Sequence, residues 1–148
     1  MLTQHAAPFF SALVATPQMQ AMWNLRNGGV PVFVHTIDVA LLALDAFIDW
    51  QDRHGAMALV PTLVGALTHD LTKVTARATR GQPGHLSHST IMLIDPLAAV
   101  VEAKAALAIV ADATGITLDR HEMEMAAHII MSHHGPWGAV APCCPEAS

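Results

Sequence analysis

Apolar segments rich in Ala, Leu and Met fill this chain, and none alternates apolar and polar residues for more than a few positions. A half-buried strand needs that alternation, because successive side chains point to opposite faces. No hairpin dipeptide stands between two alternating runs either. Ala, Leu and Met lose little freedom in a helix, so the expected fold is an all-α, single compact bundle. Glycine and proline mark the stops. An N-terminal helix is expected over Pro8–Leu25, broken near Pro17 and ended by Asn27-Gly28-Gly29 before Pro31 restarts the chain. Val34–Trp50 is apolar on nearly every face and is expected to be a central helix. Pro61 suits the first turn of a helix running to about Ala78, and a loop follows at Arg80–Gly84. A short helix is expected around Ser87–Ile94, and Asp95-Pro96 opens another that ends near Gly115. Thr117 or Asp119 caps the last helix, which runs to about His134.

Composition narrows the class further. With 148 residues, 53% of them hydrophobic, the chain is one domain's length and is too apolar to be a disordered linker. Seven Lys and Arg residues against twelve Asp and Glu give a net charge of -5. That balance offers no basic track for a long nucleic acid, so a nucleotide or a short end is the expected scale of any phosphate ligand. The greasiest stretch, Pro96–Val110, contains Glu102 and Lys104, so no membrane partner is expected. The N-terminus has no basic region before its short apolar run, which argues against a signal peptide. Cysteine occurs only as the neighbours Cys143 and Cys144, which suits a reducing, cytoplasmic setting. The exposed apolar helix faces expected of so greasy a chain suit a homodimer.

Ten histidines exceed all the lysines and arginines together, and on the expected helices they are not scattered. His35 lies early in the second helix, and His69-Asp70 lie together within the third. His88 opens the short helix after the loop, and His133-His134 close the last. Imidazole nitrogen and carboxylate oxygen suit divalent zinc, manganese, iron, nickel or cobalt, and a bundle gathers such ligands from several helices. An Asp inside an otherwise apolar helix is costly to bury uncompensated, and a metal ion would compensate it.

In order along the chain, HTIDVALLAL, ALTHDLTKV, HSTIML and HIIMSHHG resemble the motif blocks of the HD-domain superfamily of metal-dependent phosphohydrolases. The likeness is greatest to its SHHG-type subgroup, which includes 3′→5′ HD exoribonucleases and relaxase-associated HD domains. It covers about Gly28–Gly138, which implies an N-terminal helical segment over 1–27, an HD domain over 28–138 and a tail over 139–148. ALTHDLTKV resembles the usual LHDLGKV, with Thr72 where Gly is common. The resemblance implies that His35, His69 and Asp70 ligate a first metal and that Asp70 bridges to a second metal or to the attacking water. His88, His133 and His134 match the extra ligands of two-metal members, and Lys73 matches the Lys of HDxxK, a cation for a phosphate oxygen. The implied activity is phosphohydrolase or phosphodiesterase chemistry on a nucleotide or a nucleic-acid 3′ end, with one or two divalent ions. In the family a final Asp follows on a further helix. No Asp occurs here after Asp119, so the expectation is either a truncated form or fragment, or another group (water, Glu146 or a partner chain) in that position. The alternatives are a non-catalytic metal-binding HD module of a larger assembly, or an HD-type di-iron oxygenase.

Other residues carry plainer expectations. His85 is the rival of His88 at its loop, expected to face solvent or substrate. His121, Glu124 and His128 form a stripe without HExxH spacing, so no separate metal site is expected there. His5 and His54 look incidental. Met92, Met123, Met125 and Met131 read as core filler. Trp23 reads as core or, less simply, as a stacking wall for a base, and Trp137 as a cover for the site.

Overall fold

Three helices of this chain start at a side chain that accepts one of their own free amides. Thr16 accepts the Met19 amide at 3.5 Å with Pro17 in the first turn, and Ser87 accepts that of Thr90 at 3.1 Å. Asp119 accepts the Glu122 amide at 2.8 Å while Glu122 accepts that of Asp119 at 2.9 Å, a reciprocal capping box. Asp119, not Thr117, therefore starts the last helix. The computed structural model describes residues 3–54, 59–135 and 139–140. Its helices are α1 (Thr3–Val14), α2 (Pro17–Ala21), α3 (Val32–His54), α4 (Leu59–Thr68), α5 (Thr72–Ala78), α6 (His88–Ile94), α7 (Leu97–Thr114) and α8 (Arg120–Ser132), with a 3-10 turn at Met22–Asn24. The chain is an all-α single domain. None of its described helices is long and apolar enough to cross a membrane.

A small hairpin departs from the expectation that no strands form. β1 (Arg26–Asn27) pairs antiparallel with β2 (Val30–Pro31) through Gly28 and Gly29, whose φ values are 56° and 88°. Two successive positive φ angles make the tight turn, and glycine adopts them without a Cβ clash. The strands are two residues each, too short for alternation to reveal.

The packing order also differs from the expected one. α3 is not central: Leu41, Leu42 and Ile48 are 58%, 69% and 53% exposed. The middle position belongs to the ten-residue α4, packed between α3 and α8, with Val60, Pro61, Val64, Gly65, Ala66, Leu67 and Thr68 all buried. Small side chains explain this, because a Cβ placed on Gly65 would lie 2.6 Å from Ile129 of α8. Only a glycine lets those two backbones approach so closely. α1 packs on α7, and Phe9 and Leu13 join Met22, Val64, Leu67 and Val110 in the main core. A second cluster gathers Met92, Ala99, Val100, Ala103 and Ile130, with Met123 and Met131 against it. Met125 is only half-buried. α7 ends as expected at Gly115, whose φ of 70° closes the helix. Trp23 is not core: it is 45% exposed and stacks on Phe33 with ring centroids 4.4 Å apart. Trp137, Cys143, Cys144 and Glu146 lie outside the described residues, as do the side chains of His5 and His54.

Candidate metal centre

The helix expected from Pro61 to Ala78 is broken at the His-Asp doublet, where three residues separate α4 from α5. The His69 amide still donates to Gly65 at 3.0 Å, but that of Leu71 turns to Thr68 at 3.2 Å and that of Lys73 to Asp70 at 2.9 Å. Adjacent positions on a regular α-helix point about 100° apart. The tightened turn lets His69 and Asp70 face one cavity instead, both buried. The second doublet uses the same device. α8 stops at Ser132, Gly135 takes a φ of 57°, and His133 and His134 both reach the cavity from the turn between them.

That cavity has a volume of about 650 Å³, and all seven residues marked in the sequence line it: His35, His69, Asp70, Lys73, His88, His133 and His134. Asp70 is its hub. Its Oδ2 lies 3.4 Å from His69 Nε2, 3.8 Å from His35 Nε2 and 2.6 Å from Lys73 Nζ. Its Oδ1 lies 3.3 Å from His88 Nε2 and 4.0 Å from His133 Nε2. His134 Nε2 is 3.3 Å from His88 Nε2. The donors fall into two triads, His35–His69–Asp70 and His88–His133–His134, with the ligand atoms of each triad within 4.8 Å of one another. Either triad could hold a metal ion. One carboxylate faces both.

The far side of each ring shows which way these imidazoles are set. His69 Nδ1 donates to the Ala66 carbonyl at 2.6 Å, and His133 Nδ1 donates to that of Ile130 at 2.6 Å. A carbonyl only accepts, so each Nδ1 carries a proton, and the His133 ring, held neutral by burial, presents a bare lone pair at Nε2. His133 Nε2 is buried with no hydrogen-bond partner among the described residues. A lone pair left bare beside carboxylate oxygens is unfavourable unless a cation sits among them, and metal-ligating histidines are oriented by this kind of outer bond. The donor set therefore fits a divalent ion.

Electrostatics agree with that fit. Burial pushes the His88 and His133 imidazoles down to about 4, outweighing the nearby Asp70 charge, so both are neutral at neutral pH. Burial alone would raise the Asp70 carboxyl, but His69 and the Lys73 ammonium overcome it and hold the group ionised, far below the usual carboxylate range.

Sequence reasoning passed over several residues here. Thr72 is buried, and its hydroxyl lies 2.6 Å from His88 Nδ1, so it sets that ring. Its signal was present, as a Thr where the resembling motif commonly has Gly. Asn27 and Ser89 also line the cavity, with Val39, Ala43 and Ile129 as its apolar wall. Nothing local announced them, since a hairpin residue such as Asn27 and helix-face residues such as Ser89 join a site only through packing. His85 stays outside, 3.1 Å from Thr79 Oγ1. Glu124 pairs with Arg120 at 2.8 Å, and the stripe of His121, Glu124 and His128 forms no metal-type group among the described residues.

Compared with family models, curated proteins and solved structures, the chain matches none.

Proposed function

We propose that this chain is a metal-dependent phosphohydrolase or phosphodiesterase of the HD type, acting on a nucleotide or a nucleic-acid 3′ end in the cytoplasm. One observation carries the reading. Four histidine Nε2 atoms lie within 4.0 Å of the two oxygens of the buried Asp70, with His134 completing the second triad. The ordered motif blocks support the same family. A cavity of about 650 Å³ suits a nucleotide-sized ligand.

A bound divalent ion supplies Lewis acidity, lowering the pKa of an attacking water and offsetting charge on phosphoryl oxygens. The chain's own residues do the rest. Asp70 holds a full negative charge between the triads. The backbone carbonyls of Ala66 and Ile130, with Thr72, keep three imidazoles turned toward it. Lys73, beside Asp70 at the cavity wall, offers an ammonium to a phosphate oxygen, where charge grows as the ester bond breaks. Val39, Ala43 and Ile129 give a base or sugar an apolar surface.

The test is elemental analysis of untagged protein, with turnover of a panel of nucleotides and short oligonucleotides in manganese, nickel, cobalt, zinc or iron. Stoichiometric metal, lost in His69→Ala together with phosphate or nucleotide release, supports the reading. Metal-loaded protein that releases neither overturns it and favours a binding module. Dioxygen uptake by the iron form without phosphate release would favour an oxygenase.

A further inference from the structure

Next to the metal centre lies a second cavity of about 370 Å³, lined by Asn24, Leu25, Arg26, Val32, Lys73, Arg77 and Arg80. It holds four of the chain's seven Lys and Arg residues, in a protein of net charge -5. Lys73, Arg77 and Arg80 recur at i, i+4 and i+7, so α5 and the turn after it present them along one stripe. The hairpin places Arg26 opposite, its guanidinium donating to the Gly29 carbonyl at 3.2 Å. Arg26, Arg77 and Arg80 are exposed and form no ion pair with a carboxylate among the described residues. Three neighbouring like charges without counter-ions repel one another, which is unfavourable unless an anion is shared among them.

The two cavities meet at Lys73, and Asn27 of the metal centre is next in the chain to Arg26 of the basic one. A ligand with one phosphate at the histidine cluster would therefore extend its next polar group past Lys73 into this basic recess. Resting on the function proposed above, we infer that the recess formed by Arg26, Arg77 and Arg80 binds a second phosphate of the substrate. The preferred substrate then carries at least two phosphates, as a short strand or as a nucleoside polyphosphate. Guanidinium forks suit phosphate oxygens, and three of the four cations here are arginine. The recess is far too short for a long strand, which agrees with the acidic balance of the chain.

Two measurements on the double variant Arg77→Gln/Arg80→Gln decide the inference. Both positions are exposed and outside the histidine cluster, so the fold is expected to survive, with circular dichroism as the check. In the first, calorimetric titration of metal-free protein with inorganic tripolyphosphate should show binding that weakens at least about tenfold in the double variant and falls with added salt. His69→Ala should bind tripolyphosphate as the wild type does. In the second, kcat/KM of metal-loaded protein is compared for thymidine 5′-monophosphate, the 5′-phosphorylated thymidine dinucleotide and thymidine 5′-triphosphate. The double variant should lose at least about tenfold on one or both of the larger substrates and leave the monophosphate unchanged. Loss on the dinucleotide alone identifies a strand, and loss on the triphosphate alone a polyphosphate. Equal loss on all three substrates, or tripolyphosphate binding unaltered by the double variant, overturns the inference. If no substrate turns over with any metal, the proposed activity fails, while the titration still decides whether the recess holds phosphate.

Discussion

Asp70 is the carboxylate on which four imidazole Nε2 atoms converge within 4.0 Å, and the residues around it differ in how replaceable they are. His88 depends on Thr72, whose hydroxyl is its one side-chain hydrogen-bond partner at Nδ1, at 2.6 Å. Thr72→Val keeps the shape and removes that bond. Metal affinity is expected to fall by about tenfold or more, as for other outer partners of metal-ligating histidines, read by competition with a coloured chelator. His85→Ala, outside the cluster, should leave it unchanged. Protonation gives a second prediction at this scale. His88 and His133 titrate near 4 in the folded, metal-free protein, below the ordinary histidine value of 6.5. Between those values the unfolded chain binds more protons than the folded one, so stability rises with pH across that window and levels off above it. Urea midpoints of chelator-treated protein should rise from pH 4 to 6.5. A double His88→Asn/His133→Asn variant should lose most of that slope, and an unchanged slope would show that the two rings do not carry it.

Helix junctions, rather than helix interiors, build the centre. Both doublets sit where a helix tightens or ends, which is how neighbours in sequence come to share one cavity. α4 and α8 carry them, and Gly65 sets the distance between the two helices. Gly65→Ala would put a methyl 2.6 Å from Ile129 Cγ2 and 2.8 Å from its branched Cβ, which has no flexible tip to swing away. A destabilisation of about 1–3 kcal/mol is expected from overpacking, together with weaker metal binding, as the helices separate. Asp119→Ala is the informative comparison. It removes the α8 capping box, at a cost of about 1 kcal/mol, but leaves the helix contact intact. Chemical denaturation should find both variants less stable, and metal titration should find only the glycine variant impaired. Much at this scale was legible beforehand: Pro17, Ser87, Asp119 and Gly115 mark boundaries through capping and backbone chemistry that act locally. The break at His69-Asp70 was not, because ALTHDLTKV holds no glycine or proline, and the weak helix propensity of its Thr, His and Asp residues does not by itself set a stop. The hairpin at Gly28-Gly29 escaped for a related reason, since two-residue strands leave no pattern.

Across the whole molecule, the candidate metal centre joins segments far apart in sequence, His35 on α3, His69 and Asp70 after α4, His88 on α6, and His133 and His134 after α8. A ligand tying them together stabilises the folded state alone, by about 2.7 kcal/mol at a hundredfold excess over its dissociation constant. Removal of metal by a chelator should therefore lower Tm, and re-addition should restore it. A Tm unmoved by chelator, in protein shown to carry metal, would place the ion elsewhere. Charge is distributed with the same selectivity. Counting lysines and arginines describes an acidic protein with no basic track for a long nucleic acid, yet folding sets four of the seven around one recess beside the histidines. By itself the sequence determined the helical class, most helix ends and the identity of the histidines and aspartate that meet, because propensity, capping and residue chemistry are carried by a few neighbouring positions. Tertiary structure alone decided that α4 rather than α3 lies at the centre, how His133 and His134 come to face one cavity, and that Arg26 faces Arg77 and Arg80. Those outcomes depend on how closely helices can approach and on the turns between them, which no short stretch of sequence encodes.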